Sequence, residues 1–313
     1  MTDGRMTDTD RTRTLGVVVP VRDAAGQLPV LMDLLRAQTV PVDEILVVDD
    51  GSTDDTAAVA VSLGAVVVPN PGRGPYAGRN AGWSRSATDL VGFLDVRSRP
   101  EPGWAEAVRR LFDDPAVESP FPPAGAVALA TTGTVVVGGG STAELAAVGQ
   151  QIFDVAGYVD RPWFLPYYAT CNLTVRRDVL VAVEGFDAGR SGGDADLCFR
   201  VQLAGHGSLA VDRRPLMRWQ ARAGLVSSCE QQMRYGRSNA ALRRRFEGAG
   251  AAPLRVERLS ALVPRAVRAA LALAVRDLRG DHQQASRNLR TLWDVLYSVG
   301  YLREQRSVRR SGA

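Results

Sequence analysis

The chain alternates short apolar runs with segments whose apolar residues recur at helical spacing. Leu15-Gly-Val-Val-Val19 is a β-branched run closed by Pro20, which predicts a strand buried on both faces. Leu28, Leu31, Leu34 and Leu35 then mark one face of a helix that carries the chain back across a sheet. Ile45 to Val48 predicts a second buried strand, Asp54 to Ser62 a helix that Gly64 ends, and Ala65 to Val68 a third strand. The Gly- and Pro-rich stretch Asn70 to Gly78 predicts a loop, before a helix near Asn80 to Ser86 and the strand Leu90 to Leu94. Strands and helices in this alternation predict an α/β fold, with a mostly parallel mixed sheet covered by helices on both faces.

From Pro120 to Pro166 the pattern is less regular. It offers the apolar run Ala126 to Ala130, a strand over Thr134 to Val137 and a helix over Thr142 to Val155. Trp163-Phe-Leu-Pro-Tyr-Tyr168 crowds aromatics between prolines and predicts a loop, either lining a cleft or tucked onto the core. A strand over Cys171 to Val175, a helix over Asp194 to Ala204 and a strand near Ser208 to Val211 follow. Beyond Val226 the pattern is helical, broken around Gly248 to Pro253 and at Gly280. The expected organisation is a disordered lead over 1–13, one α/β domain over 14–225 and an Arg-rich helical extension over 226–313.

Composition narrows this picture only slightly. The 313 residues can bury a substantial core, and 45% apolar with 23% charged residues is ordinary for a globular protein. All 38 basic residues are arginine, and the surplus behind the net charge of +4 lies beyond Arg213. A basic tail suits an anionic membrane surface or a phosphorylated partner, and equally a solvated helix face. Nucleic acid fits poorly, because the arginines are not interleaved with stacking aromatics. Cys171, Cys198 and Cys229 are too scattered for a disulfide framework or a zinc site, which suits a reducing cytoplasm. Met1 to Arg13 lacks the apolar stretch of a signal peptide, and no apolar run is long enough to cross a bilayer. The expected location is cytoplasmic, with peripheral association on the inner face of the membrane as a second option.

The chemistry concentrates where strands end. Val47-Val-Asp-Asp-Gly-Ser-Thr-Asp54 closes a buried strand with two carboxylates, a glycine turn and a set of capping residues. Asp49, Asp50 and Asp95 all follow strands, at the sheet edge where ligands of such folds collect. Helix capping by Ser52, Thr53 or Asp54 accounts for part of the first motif, but not for Asp49 and Asp50 as well.

These residues, in this order, resemble the family 2 glycosyltransferases, whose nucleotide-sugar-binding fold is called GT-A. The resemblance runs through Val17-Val-Val-Pro-Val-Arg-Asp23, Val47 to Thr53, Gly78-Arg-Asn-Ala-Gly82 and Phe93-Leu-Asp95. It continues through Asn172-Leu-Thr-Val-Arg-Arg177, Gly185-Phe186 and Gly193-Asp-Ala-Asp-Leu-Cys-Phe-Arg200, and so spans roughly Thr14 to Arg222. It implies inverting transfer of a sugar from a nucleoside-diphosphate sugar to an acceptor hydroxyl, which in this family belongs to a lipid carrier, a polysaccharide or a small metabolite. By position it implies that Pro20, Asp23 and Asp50 hold the nucleoside, that Arg73 and Arg79 border base and diphosphate, and that Asp95 is the first carboxylate of an Asp-x-Asp motif. Asp194 matches the catalytic base; Asp196 and Trp163 are candidates for the acceptor side, with helix capping as the plainer reading of both aspartates.

Three departures from that pattern fall together. The second Asp of Asp-x-Asp is Arg97, the downstream His of the metal site is Gln220, and the Glu before the catalytic Asp is Gly193. The resemblance implies a divalent cation, Mg or Mn, on Asp95, yet hard cations need charged oxygen ligands and this set has lost two donors. Arg97, helped by Arg99, Arg218 or Arg222, is the expected substitute beside the diphosphate. The alternative is a catalytically degenerate protein that binds nucleotide sugar without transfer. A dinucleotide oxidoreductase is set aside because Val19 to Gly26 has no G-x-G-x-x-G, and a nucleotidyltransferase because its Gly-rich loop and Lys are missing.

Overall fold

In the computed structural model, which describes residues 12–114, 126–187 and 191–311, strand β1 (Leu15–Val21) is buried on both sides. Val17 and Val19 face one apolar cluster and Val18 the other, as the two-residue period of a strand requires. Around it run α1 (Leu28–Arg36), β2 (Glu44–Asp49), α2 (Thr56–Ser62), β3 (Val66–Pro69), α3 (Pro75–Arg85), β4 (Leu90–Phe93), β5 (Ser98–Pro100) and α4 (Trp104–Asp113). The second half adds β6 (Val127–Val137), α5 (Thr142–Gln150), a π-helical turn (Ala156–Asp160), β7 (Leu173–Arg176), α6 (Arg177–Ala182), α7 (Gly193–Leu203) and β8 (Ser208–Gln220). Three long helices follow: α8 (Leu225–Arg245), α9 (Leu259–Leu278) and α10 (His282–Ser311).

The strands form one eight-stranded sheet in the order β3-β2-β1-β4-β7-β6-β8-β5. β3, β2, β1 and β4 are parallel neighbours, and β6 runs parallel to β8; β7 is antiparallel to β4 and β6, and β5 to β8. This is the mixed α/β sheet with helices on both faces that the alternation predicts. Leu28, Leu31 and Leu35 of α1 and Trp104 and Val108 of α4 cover one face, whereas Ala146 of α5, Leu197 of α7 and Trp293 of α10 belong to the cluster on the other. Trp293 and Leu289 therefore tie the helical extension into the main core. The expected lead over 1–13 lies outside the described residues except for Thr12 and Arg13.

Several boundaries differ from the sequence expectation for identifiable reasons. Pro20 does not close β1 but pairs with Val48 inside it. The helix expected near Asn80 begins at Pro75, because proline at the first helical position loses only an N–H that would lack a helical partner anyway. The apolar run from Ala126 and the strand over Thr134 to Val137 are one strand, β6, whose register shifts at Gly133, opposite extra residues between Asp212 and Met217 of β8. Gly133 permits this: a Cβ there would stand 2.7 Å from the Arg214 carbonyl oxygen. The helix from Thr142 stops at Gln150, where Gln151 takes a left-handed conformation.

Close approach of α3 to the sheet depends on Gly82, whose absent Cβ would lie 2.3 Å from a Val18 methyl and 3.0 Å from a Val48 methyl. Gly82→Ala is therefore expected to lower stability by about 1–3 kcal/mol, as overpacking of a rigid core does. Urea unfolding monitored by tryptophan fluorescence reads this directly.

Candidate active site

β1, β2 and β4 are parallel, so their carboxyl ends open on one edge of the sheet, where α3, α7 and α8 close over them. A cavity of about 790 Å³ lies there. Asp50 at the end of β2, Asp95 after β4 and Asp194 on α7 all line it, although they are far apart in sequence. Pro20, Arg79, Arg97 and Trp163 line it too. Asp23 and Arg73 are not among the lining residues.

The two carboxylates after β2 divide their work. Asp49 accepts the Ser52 N–H at 3.1 Å and the Ser52 hydroxyl, closing the turn. Gly51, at φ +75°, supplies the left-handed step in that turn. Asp50 faces the cavity and is held by Asn70 Nδ2 at 2.6 Å and the Gly74 N–H at 3.1 Å. Asp23 braces the same turn from outside by accepting the Thr53 N–H at 2.7 Å, which holds its carboxyl below the usual range.

A continuous chain of contacts joins Asp95 to Asp194. Arg79, nearly buried, donates to Asp95 Oδ1 at 2.9 Å. Its guanidinium stands 5.2 Å from the centre of the Tyr76 ring, in cation–π range. The Tyr76 hydroxyl donates to Asp194 Oδ1 at 3.3 Å, and that oxygen also accepts the Ala195 N–H at 3.0 Å. Asp194 Oδ2 has no hydrogen bond from a described residue. Burial raises the Asp194 carboxyl above its ordinary value, opposed by the Ala195 N–H, Arg79 and the Tyr76 hydroxyl. Burial, and then the Asp194 charge, keep Tyr76 a neutral phenol.

Neither aspartate of α7 caps it, since the cap position is Gly192. Asp196 is buried and paired with Arg200 at 2.8 Å and Arg245 at 3.1 Å, and it borders a smaller neighbouring cavity rather than the large one. Gly193 also has a physical reason: a Cβ there would stand 3.0 Å from the Tyr76 ring, which fills the space a Glu would need.

Arg97 is half-buried on the cavity wall. Burial first, and then the charge of Arg222, pull its guanidinium below the ordinary value, while Asp95 and Glu144 oppose this. No described carboxylate pairs with either arginine within ion-pair distance. The other arginines considered from sequence are engaged elsewhere: Arg218 pairs with Glu101 at 2.7 Å, and Arg99 donates to the carbonyls of Val96 and Ser98 at 2.8 Å. Gln220 reaches Glu144 at 3.4 Å. For a divalent cation this donor set does not fit. Asp95 is already paired with Arg79, a second cation follows two residues on, and no group of three acidic, His or Cys side chains converges among the described residues.

Sequence reading missed Tyr76, Arg234 and Tyr235 among the lining residues, and Tyr297 of α10. Tyr76 was accessible as the residue one helical turn before Arg79. The others come from helices whose docking onto the cavity leaves no local signature.

Residues 16–180 match the family described as glycosyl transferase family 2, and the chain belongs to that family. A glycosyltransferase of the archaeon Haloferax volcanii, AglE, is 30% identical over 100 residues, covering 29% of this chain and 33% of that protein. The chain thus spans about a third of that relative's length. A mannosyltransferase of Pyrobaculum calidifontis, solved with GDP-mannose and Mn²⁺, shares the fold with a TM-score of 0.58 at 15% identity over 95% of this chain and 88% of that one. Glucosyl-3-phosphoglycerate synthase of Mycobacterium tuberculosis, solved with Mn²⁺, UDP-glucose and phosphoglyceric acid, gives 0.54 at 21% identity over 80% of this chain and 84% of that one. Both are GT-A structures, and the fold here is theirs.

Proposed function

We propose that this protein is an inverting glycosyltransferase that moves a sugar from a nucleoside-diphosphate sugar to an acceptor hydroxyl by single displacement. The observation that carries this reading is that Asp50, Asp95 and Asp194 line one cavity, with Arg79 and Tyr76 linking the last two. Asp50 and Pro20 are assigned to the nucleoside, Arg79 and Asp95 to the diphosphate and ribose side, and Trp163 to the acceptor side. Asp23 acts through the turn it braces and Asp196 by anchoring α7, and Arg73 is exposed in the loop before α3.

In the reaction the acceptor oxygen attacks the anomeric carbon as its proton passes to Asp194 Oδ2. The bond from that carbon to the diphosphate oxygen breaks, and its electron pair leaves with the nucleoside diphosphate. Attack opposite the leaving group inverts the anomeric centre. Arg97 and Arg222 meet the charge that develops on the leaving oxygen, with no metal-dependent step. The two guanidiniums repel each other, only partly offset by Asp95 and Glu144, and an anion between them relieves that cost.

A raised carboxyl makes a stronger base and sets the sign of the pH dependence. Below its pKa Asp194 is protonated and cannot accept the acceptor proton, so kcat/KM is expected to rise with pH through a limb above the ordinary aspartate range. A pH–rate profile whose acid limb sits at or below that range contradicts the assignment. Donor hydrolysis over a panel of UDP- and GDP-sugars tests the function itself. Slow release of nucleoside diphosphate is expected; binding of a nucleotide sugar with no turnover, in water or with any acceptor, assigns the chain to a binding role instead.

A further inference from the structure

α9 shows solvent an apolar face that no described element covers. Leu262 and Ala269 are buried, whereas Val263, Val267, Leu271 and Val275, each four residues apart, and Leu278 are 58%, 53%, 64%, 47% and 89% exposed. That spacing stacks them along one side of the helix, and the exposed Pro264, Ala270 and Ala274 fill the gaps. The result is a strip covering roughly a third of the helix circumference. Scattered exposed apolar residues are ordinary; a continuous strip marks an interaction surface.

Charge decides the partner. Arg268 and Arg279, both exposed and without an ion pair to a described residue, edge the strip. Carboxylates close by in sequence are engaged elsewhere: Asp277 accepts from Thr142 and faces His282 at 3.0 Å, Asp281 accepts the Gln284 N–H at 3.1 Å, and Glu257 pairs with Arg265 at 2.9 Å. A second copy docked through the same face would set arginines against arginines, which is repulsive. An anionic lipid surface offers phosphates to those arginines and acyl chains to the strip. The helix is not apolar enough to cross a membrane, and its inner side is committed to packing, so it would lie in the interface rather than span it.

We propose that α9 is a lipid-docking helix. Val263, Val267, Leu271, Val275 and Leu278 enter the acyl boundary of an anionic membrane, and Arg268 and Arg279 sit among its phosphates. This goes beyond sugar transfer and stands independently of it.

The test is flotation of the full chain with vesicles of phosphatidylcholine alone and of phosphatidylcholine containing phosphatidylglycerol. The expected result is binding to the anionic vesicles only, weakened about tenfold or more by Val267→Ser with Leu271→Ser and, separately, by Arg268→Gln with Arg279→Gln. All four positions are on the surface, and an unchanged Tm verifies that the variants fold. The proposal is overturned by absence of binding to anionic vesicles, or by equal binding of the serine variant. A dimer in sedimentation that the serine variant dissociates also overturns it, by assigning the strip to a second copy.

Discussion

Asp194→Asn is expected to lower kcat by about 10²–10⁴-fold, the usual contribution of a positioned general base. Donor affinity should change little, because Asp194 contacts Tyr76 and the Ala195 N–H rather than the groups assigned to the nucleotide. The same substitution is expected to raise Tm. Burial raises the Asp194 carboxyl above its unfolded value, so the folded state holds the proton more tightly than the unfolded chain. That linkage costs stability progressively as pH climbs from the unfolded pKa to the folded one, and the cost persists above it. A neutral amide removes it. Steady-state kinetics, donor titration and a thermal melt of the one variant separate these effects. A merely structural Asp194 would instead lose Tm and activity together.

The second large effect concerns Arg97. Arg97→Ala is expected to lower kcat by about 10²–10³-fold, the scale on which a preorganised charge aimed at the leaving group acts. Arg222→Ala should act in the same direction. Excess chelator should leave wild-type turnover unchanged. Asp95 is tied to Arg79 and Gln220 to Glu144, and no described carboxylate forms an ion pair with Arg97 or Arg222 on the cavity wall. Loss of activity in chelator, restored by Mn²⁺ or Mg²⁺, returns the diphosphate to a metal and reduces Arg97 to an ornament of the wall.

Much of the architecture was legible because buried parallel strands write themselves as unbroken β-branched runs, and β1, β2 and β4 stood where those runs lie. The strand-end carboxylates were legible for the same reason: once a strand is fixed, the residue after it is placed. Which of two adjacent carboxylates faces the cavity came from the family resemblance, which pointed to Asp50, and not from the strand pattern, since Asp49 and Asp50 differ only in the direction a side chain leaves the strand. β6 was split in two because the register shift at Gly133 is set by the extra β8 residues around Arg213 and Arg214, far away in sequence. The cavity wall supplied by α8 and α10 was equally silent, because Arg234, Tyr235 and Tyr297 gain meaning only from long-range packing. Arg97 was conspicuous in sequence as a departure; that Arg222 joins it at the cavity wall, while Arg218 pairs with Glu101 and Arg99 donates to backbone carbonyls, is a tertiary fact.

The most direct test is proton NMR of the sugar first released when the wild-type protein hydrolyses an α-configured nucleotide sugar in the presence of chelator. The account predicts the β anomer, formed before mutarotation, and no such signal from Asp194→Asn. Release of the α anomer, or β anomer at an undiminished rate from the variant, contradicts a single displacement driven by Asp194.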